Sequence, residues 1–236
     1  MPPTSSSPTS FRVLNFLNGI SGSYTVAGHH AWFHYNAIQG ITGKFPGLLG
    51  EDFMFMPAED TGSLSEWRSR LTSRAKTFWA QGALVELTFH ACPPTQTEPC
   101  AWEGGIISHL TDAQWSELIT NNSPLNNAWK ARLDSIVPYL QDLKDNGVEV
   151  LWRPIHEMNQ GAFWWGGRPG PQGTRRLYEL TYDYLVNTKA LTNLIWVWSV
   201  QDLSVDFIDY RPADHTWEVA TSMCMMRRGL RRQSMT

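Results

Sequence analysis

The chain has 236 residues, of which 42% are hydrophobic and 17% charged, proportions that exclude a disordered tail, a collagen-like repeat and a small disulfide knot, and that suit one folded domain. Nineteen Lys and Arg stand against 22 Asp and Glu; four arginines fall within the last ten residues, so the preceding 226 residues hold a net charge of −7. An acidic body argues against nucleic acid as the main partner, and no apolar run approaches the ~18 residues of a membrane span.

Residues 1–10, Met-Pro-Pro-Thr-Ser-Ser-Ser-Pro-Thr-Ser, read as a flexible leader with nothing to bury, and they lack the charged start and apolar stretch of a signal peptide. After them, short β-type runs alternate with helical patterns. Thr25-Val26-Ala27-Gly28 runs to His29-His30, Gly47-Leu48-Leu49-Gly50 to Glu51-Asp52, and Ala83 to Phe89 ends at His90. Val148 to Ile155 ends at His156-Glu157, Leu194 to Trp198 continues to Gln201-Asp202, and Trp217 to Ala220 is a sixth candidate.

Helical spacing of three and four links Leu64, Trp67, Leu71, Ala75 and Phe78 before the third strand. It links Trp129, Leu133, Ile136, Leu140 and Leu143 before the fourth, with Pro138 expected to kink that helix, and Leu177, Thr181, Tyr184 and Leu185 before the fifth. Strands alternating with amphipathic helices predict βα units and a parallel α/β sheet. No Gly-x-Gly-x-x-Gly follows the first strand, so the dinucleotide-binding fold loses its signature. Polar residues at the carboxyl ends of successive strands suit a TIM (β/α)8 barrel, incomplete at about six of eight units. The domain expected is residues 11–224, followed by a basic tail over 225–236 that lacks strand or helix pattern.

Chemistry concentrates in a few places. The twelve Trp, seven Tyr and ten Phe offer flat faces for sugar rings or a Trp-rich core. Cys92 and Cys100 either close a small loop as a disulfide or stand as two thiols. The densest segment is Arg153-Pro-Ile-His156-Glu157-Met-Asn159-Gln160-Gly-Ala-Phe-Trp164-Trp165-Gly-Gly167. A zinc-protease motif needs His at position 160, which is Gln, so no metal is expected. What remains is a strand-end carboxylate: either a Glu paired with Arg153, or a general acid whose pKa is raised by apolar neighbours.

As a block this segment resembles the active-site signature of glycoside hydrolase family 26, the endo-β-1,4-mannanase family, Arg-Pro-x-His-Glu-Met-Asn-Gly with a Trp-rich continuation. Only the Gly departs, being Gln160 followed by Gly161. Gly28-His29-His30, Gly50-Glu51-Asp52, Phe89-His90 and Tyr210-Arg211-Pro212-Ala213-Asp214 agree with it. The resemblance implies a retaining glycosidase acting on internal β-1,4 bonds of mannan, glucomannan or galactomannan, with Glu157 as acid/base. His90, His156 and Asn159 match substrate-binding positions, and Trp164 and Trp165 would offer faces to the sugar; Asp52 and Asp202 carry no role beyond solvation. No cofactor is implied, the partner is the polysaccharide, and an extracellular location follows from the family. The family's nucleophilic Glu lies near the end of a seventh strand, which places it beyond this sequence. Competing readings are a mixed-linkage β-glucanase or β-1,3-xylanase on the same scaffold, and a non-catalytic polysaccharide-binding remnant.

Overall fold

The computed structural model describes residues 11–56, 62–202 and 206–223; the expected leader and basic tail lie outside these residues. Helix α1 (Arg12–Ile20) precedes strand β1 (Gly28–His30), followed by α2 (Tyr35–Thr42), β2 (Leu48–Asp52), α3 (Leu64–Ala80) and β3 (Leu84–Thr88). Three helices, α4 (Asp112–Ile119), α5 (Pro124–Asp134) and α6 (Val137–Asp145), lead to β4 (Val150–Arg153). Then come α7 (Thr174–Tyr182), β5 (Leu194–Gln201) and β6 (Val219–Met223). The six strands form one parallel sheet in chain order. It curls as part of a TIM barrel, and among the described residues β1 and β6 remain its two edges.

The sheet follows the period-two rule on both faces. Val85, Leu87, Val150, Trp152, Trp196 and Trp198 point outward and join one buried cluster with Trp67 and Leu71 of α3, Leu140 and Leu143 of α6, and Leu177 and Tyr178 of α7. Leu84, Leu151, Ile195 and Val197 point inward and meet Val13 of α1. Helix α1 is moored at its start by Glu149, whose carboxylate accepts the amides of Arg12 and Val13 at 3.0 and 2.8 Å. This carboxylate satisfies two donors that every helix start leaves open. Above α1 the inner face borders a trough of about 570 Å³ lined by Leu17, Leu84, Glu86, Leu151, Arg153 and Val197, among others.

Boundaries differ from the sequence expectation in places. The first strand is Gly28–His30 rather than Thr25–Gly28, and the sixth begins two residues late, at Val219. Pro138 does not kink one helix; it sits in the first turn of α6, after a break at Ser135 and Ile136 that separates α5. The first turn tolerates a residue without an N–H, so the chain restarts there instead of bending. The last helical stretch becomes α7 plus a π-helical turn over Asp183–Thr188.

Candidate active site

Glu157 leaves β4 through Arg153-Pro154, and the side chain of Arg153 is already committed. Its guanidinium pairs with Glu86 on the neighbouring strand β3, both inside the sheet curl. The ion pair weighed for Glu157 is thus made by Glu86, and Glu157 is freed for something else. Its backbone has φ 52°, a left-handed conformation that costs an L-residue with a long side chain of order 1 kcal/mol.

Glu157 is 7% exposed. Gln160 Nε2 donates to its Oε2 at 3.0 Å, while Gln160 Oε1 accepts the amide of Ala162 at 2.7 Å. The main-chain donor fixes which way the Gln160 amide faces. Burial pushes the Glu157 carboxyl above its ordinary range; the Gln160 bond, Arg153 and His90 pull it down, and Asp202 adds to the rise. Gly166 closes the loop beneath, donating to Phe163 O at 3.0 Å, and a Cβ there would collide with the Gln160 carbonyl.

Behind Glu157 the structure assembles a chain of polar groups from three strand ends. Asp52, 2% exposed, accepts five hydrogen bonds. Met54 N and Phe55 N donate to Oδ1 at 2.7 and 3.1 Å, closing a turn at the end of β2. Thr88 Oγ1, His90 N and His90 Nδ1 approach Oδ2 at 2.7, 3.0 and 2.8 Å. Burial alone would raise the Asp52 carboxyl, but His90 and these donors outweigh it and hold it well below the usual carboxylate range. His90 Nε2 then meets His156 Nε2 at 3.0 Å. Burial and the neighbouring His90 push His156 well below the ordinary histidine range. Ordinary solvation of Asp52, the sequence expectation, gives way to a buried structural carboxylate.

The other expected sugar contacts are placed differently from expectation. Both nitrogens of His90 are engaged within the protein. The Asn159 amide donates to Gln201 O and accepts from Gln201 N at 2.8 and 2.7 Å, clamping the loop to the end of β5. Trp164 and Trp165 are each 1% exposed; their indole N–H groups donate to Ala91 O and His156 O. These rings have no open face for a pyranose, because the loop folds back and uses them as core. Trp165 stacks on Phe163 at 4.5 Å and 19°.

The exposed ring at this place is Trp102, 43% accessible, with Phe55, His90 and Phe163 at 5.2, 5.7 and 6.0 Å between ring centroids. It rides on the segment after β3, where Cys92 and Cys100 are joined as a disulfide, and Ile107 bridges to Phe163. Neither the exposed ring of Trp102 nor the contact of Gln160 with Glu157 was expected from the sequence. For Gln160 the available signal was its departure from the family's Gly. Among the described residues no three His, Cys, Asp or Glu converge as metal ligands.

The family model for glycosyl hydrolase family 26 matches residues 3–221. The chain belongs to this family. Among family 26 relatives, the mannan endo-1,4-beta-mannosidase of Thermothelomyces thermophilus is 34% identical over 216 residues, 88% of this chain and 42% of that protein. The enzyme of the same name from Bacillus subtilis is 27% identical over 203 residues, 81% of this chain and 54% of that protein. The chain therefore spans about half the length of these curated relatives. Among solved structures, GH26A from a Muricauda species superposes with a TM-score of 0.81 at 28% identity, covering 89% of this chain and 70% of that one. A beta-mannanase from a symbiotic protist of the termite Reticulitermes speratus, complexed with gluco-manno-oligosaccharide, gives 0.73 at 27% identity over 93% and 70%. No helix among the described residues is long and apolar enough to cross a membrane.

Proposed function

We propose that this family 26 chain carries the acid/base half of a retaining β-mannanase site that cleaves internal β-1,4-mannosidic bonds, with Glu157 as the acid/base. The observation that supports it is Glu157 itself: a nearly buried carboxyl in strained backbone, raised by its surroundings, at the carboxyl end of a barrel strand. A carboxyl raised in this way gains the proton that it would deliver to the departing glycosidic oxygen more readily than an ordinary one, and would then take one from water. The named mannosidase relatives supply the substrate class. Trp102 is the ring on which a pyranose would lie, and Asp52, His90, His156, Asn159, Trp164 and Trp165 form the wall that holds Glu157's loop. A location outside the cell belongs to the same proposal, since mannan is an external polymer.

Retention needs a second carboxylate about 5–5.5 Å from the first. Glu218 does not meet this need: it stands before β6, at the amino end of the sheet, with its carboxylate accepting Trp196 N at 2.6 Å. A five-residue strand puts it about 16 Å from the end where Glu157 sits. Reducing-sugar release from soluble β-mannan, measured beside Glu157→Gln, tests the proposal. Release that depends on Glu157 is expected of a completed site; equal release from both proteins would sink it. No release from a folded sample that still binds mannan would favour the polysaccharide-binding reading, which the position of Glu218 at the far end of the sheet motivates.

A further inference from the structure

The proton order behind Glu157 follows from hydrogen-bond arithmetic, and the role drawn from it rests on the reading of Glu157 just given. Asp52, held ionised, is an acceptor at both oxygens. The ring nitrogen of His90 at 2.8 Å from Oδ2 must then be the donor, which puts the His90 proton on Nδ1. Taken as a neutral imidazole, His90 with its proton on Nδ1 presents a bare lone pair at Nε2. His156 Nε2, 3.0 Å away, must therefore donate. The remaining nitrogen, His156 Nδ1, is left bare, and it is the buried atom of that ring without a partner among the described residues. For a neutral His90 each assignment fixes the next, and the sequence of donors starts from one carboxylate two strands away.

We propose that Asp52 is a positioning residue for the site: by accepting from His90 it orders the protons His156 Nε2–H to His90 and His90 Nδ1–H to Asp52, and so fixes His156, the residue preceding Glu157, in one tautomer and one ring orientation. The five donors around Asp52 explain why it holds that place rigidly. Asp52→Asn keeps an oxygen toward Met54 and Phe55 but turns an NH2 toward His90. The whole order must then reverse, with His90 protonated on Nε2 and His156 on Nδ1.

Long-range 1H–15N spectra of the histidine-labelled chain test this directly, with His90→Gln used for assignment. The wild-type chain is expected to show His90 protonated at Nδ1 and His156 at Nε2. Asp52→Asn is expected to reverse both and, where the wild-type chain releases sugar, to lower kcat on soluble β-mannan about 10²-fold with KM within about twofold. A wild-type His156 protonated on Nδ1, or unchanged tautomers in Asp52→Asn, would overturn the proposal. Because Asp52→Asn also removes the acceptor of the His90 main-chain N–H, the wild-type spectrum decides if that variant does not fold. The expected tautomers in a chain that releases no sugar would support the proton order and count against the hydrolase reading alone.

Discussion

Beside the dominant effect of burial, two neighbours of Glu157 act in opposite senses. Gln160 donates to its carboxylate and favours the charged form, whereas Asp202, next after β5, repels it. Gln160→Ala is therefore expected to raise the Glu157 pKa and Asp202→Asn to lower it, read from the titration of the Glu157 carboxyl carbon by NMR. Shifts of the same sign in both variants would refute this account. At this scale the sequence was informative where residues were contiguous: the ordered run from Arg153 to Gly167 singled out Glu157, the residue proposed above as acid/base. It was uninformative about Asp52, because the Asp52–His90–His156 chain joins residues from three strand ends through the register of β2 with β3 and β3 with β4. The two tryptophans misled for a related reason. Aromatic type was visible, but only the backfolding of the loop decides whether a ring faces solvent or core.

Among elements, the loops after β3 and β4 carry the site and are fastened to each other. Ile107 bridges Phe163, Trp164 N donates to Ile106 O at 3.2 Å, and the Trp164 indole reaches Ala91. Opening the Cys92–Cys100 bond as a Cys92→Ala, Cys100→Ala pair should cost about 2–3 kcal/mol by urea unfolding. It should also raise KM through Trp102 more than it lowers kcat. Gly166→Ala, which sets a methyl group against the Gln160 carbonyl, is expected to lose more than about 2 kcal/mol and to release Gln160 from Glu157. Helix α3 was legible from its periodicity; the structure adds a Ser63/Glu66 capping box at its start, and Ser63→Ala should cost about 1 kcal/mol of unfolding free energy. Helices α1, α2 and α4 were unread. Each spans only eight or nine residues, too few for a period to stand out from chance.

For the molecule as a whole, the parallel sheet and its strand-end chemistry were readable from the alternation of apolar runs and helices. The second core face, with α1 packed against the inner residues, was not, since it depends on the sheet's curl. Global stability also carries a pH signature. Glu51, on the helix side of β2 and 3% exposed, accepts Trp32 N at 2.8 Å. Burial pushes its carboxyl up to about 7 against the pull of the Trp32 amide and Arg74. The folded state then holds this proton more tightly than the unfolded chain. Its contribution is fully present below about pH 4.5 and is lost as the pH rises through about 7, amounting to at most about 3 kcal/mol. Glu51→Gln should flatten that part of the stability profile between pH 4.5 and 8 while keeping the Trp32 bond. An unchanged slope in urea unfolding would reject the assignment.

The left-handed backbone at position 157 sets fold against chemistry. Glycine or asparagine would occupy that conformation more comfortably, and either would spare the protein a buried acid. Glu157→Gly is thus expected to melt a few degrees higher than the wild type while hydrolysing nothing. A chain drifting without selection for catalysis would gain by abandoning this glutamate. On the acid/base reading proposed for Glu157, position 157 is one where thermal robustness is given up for reactivity.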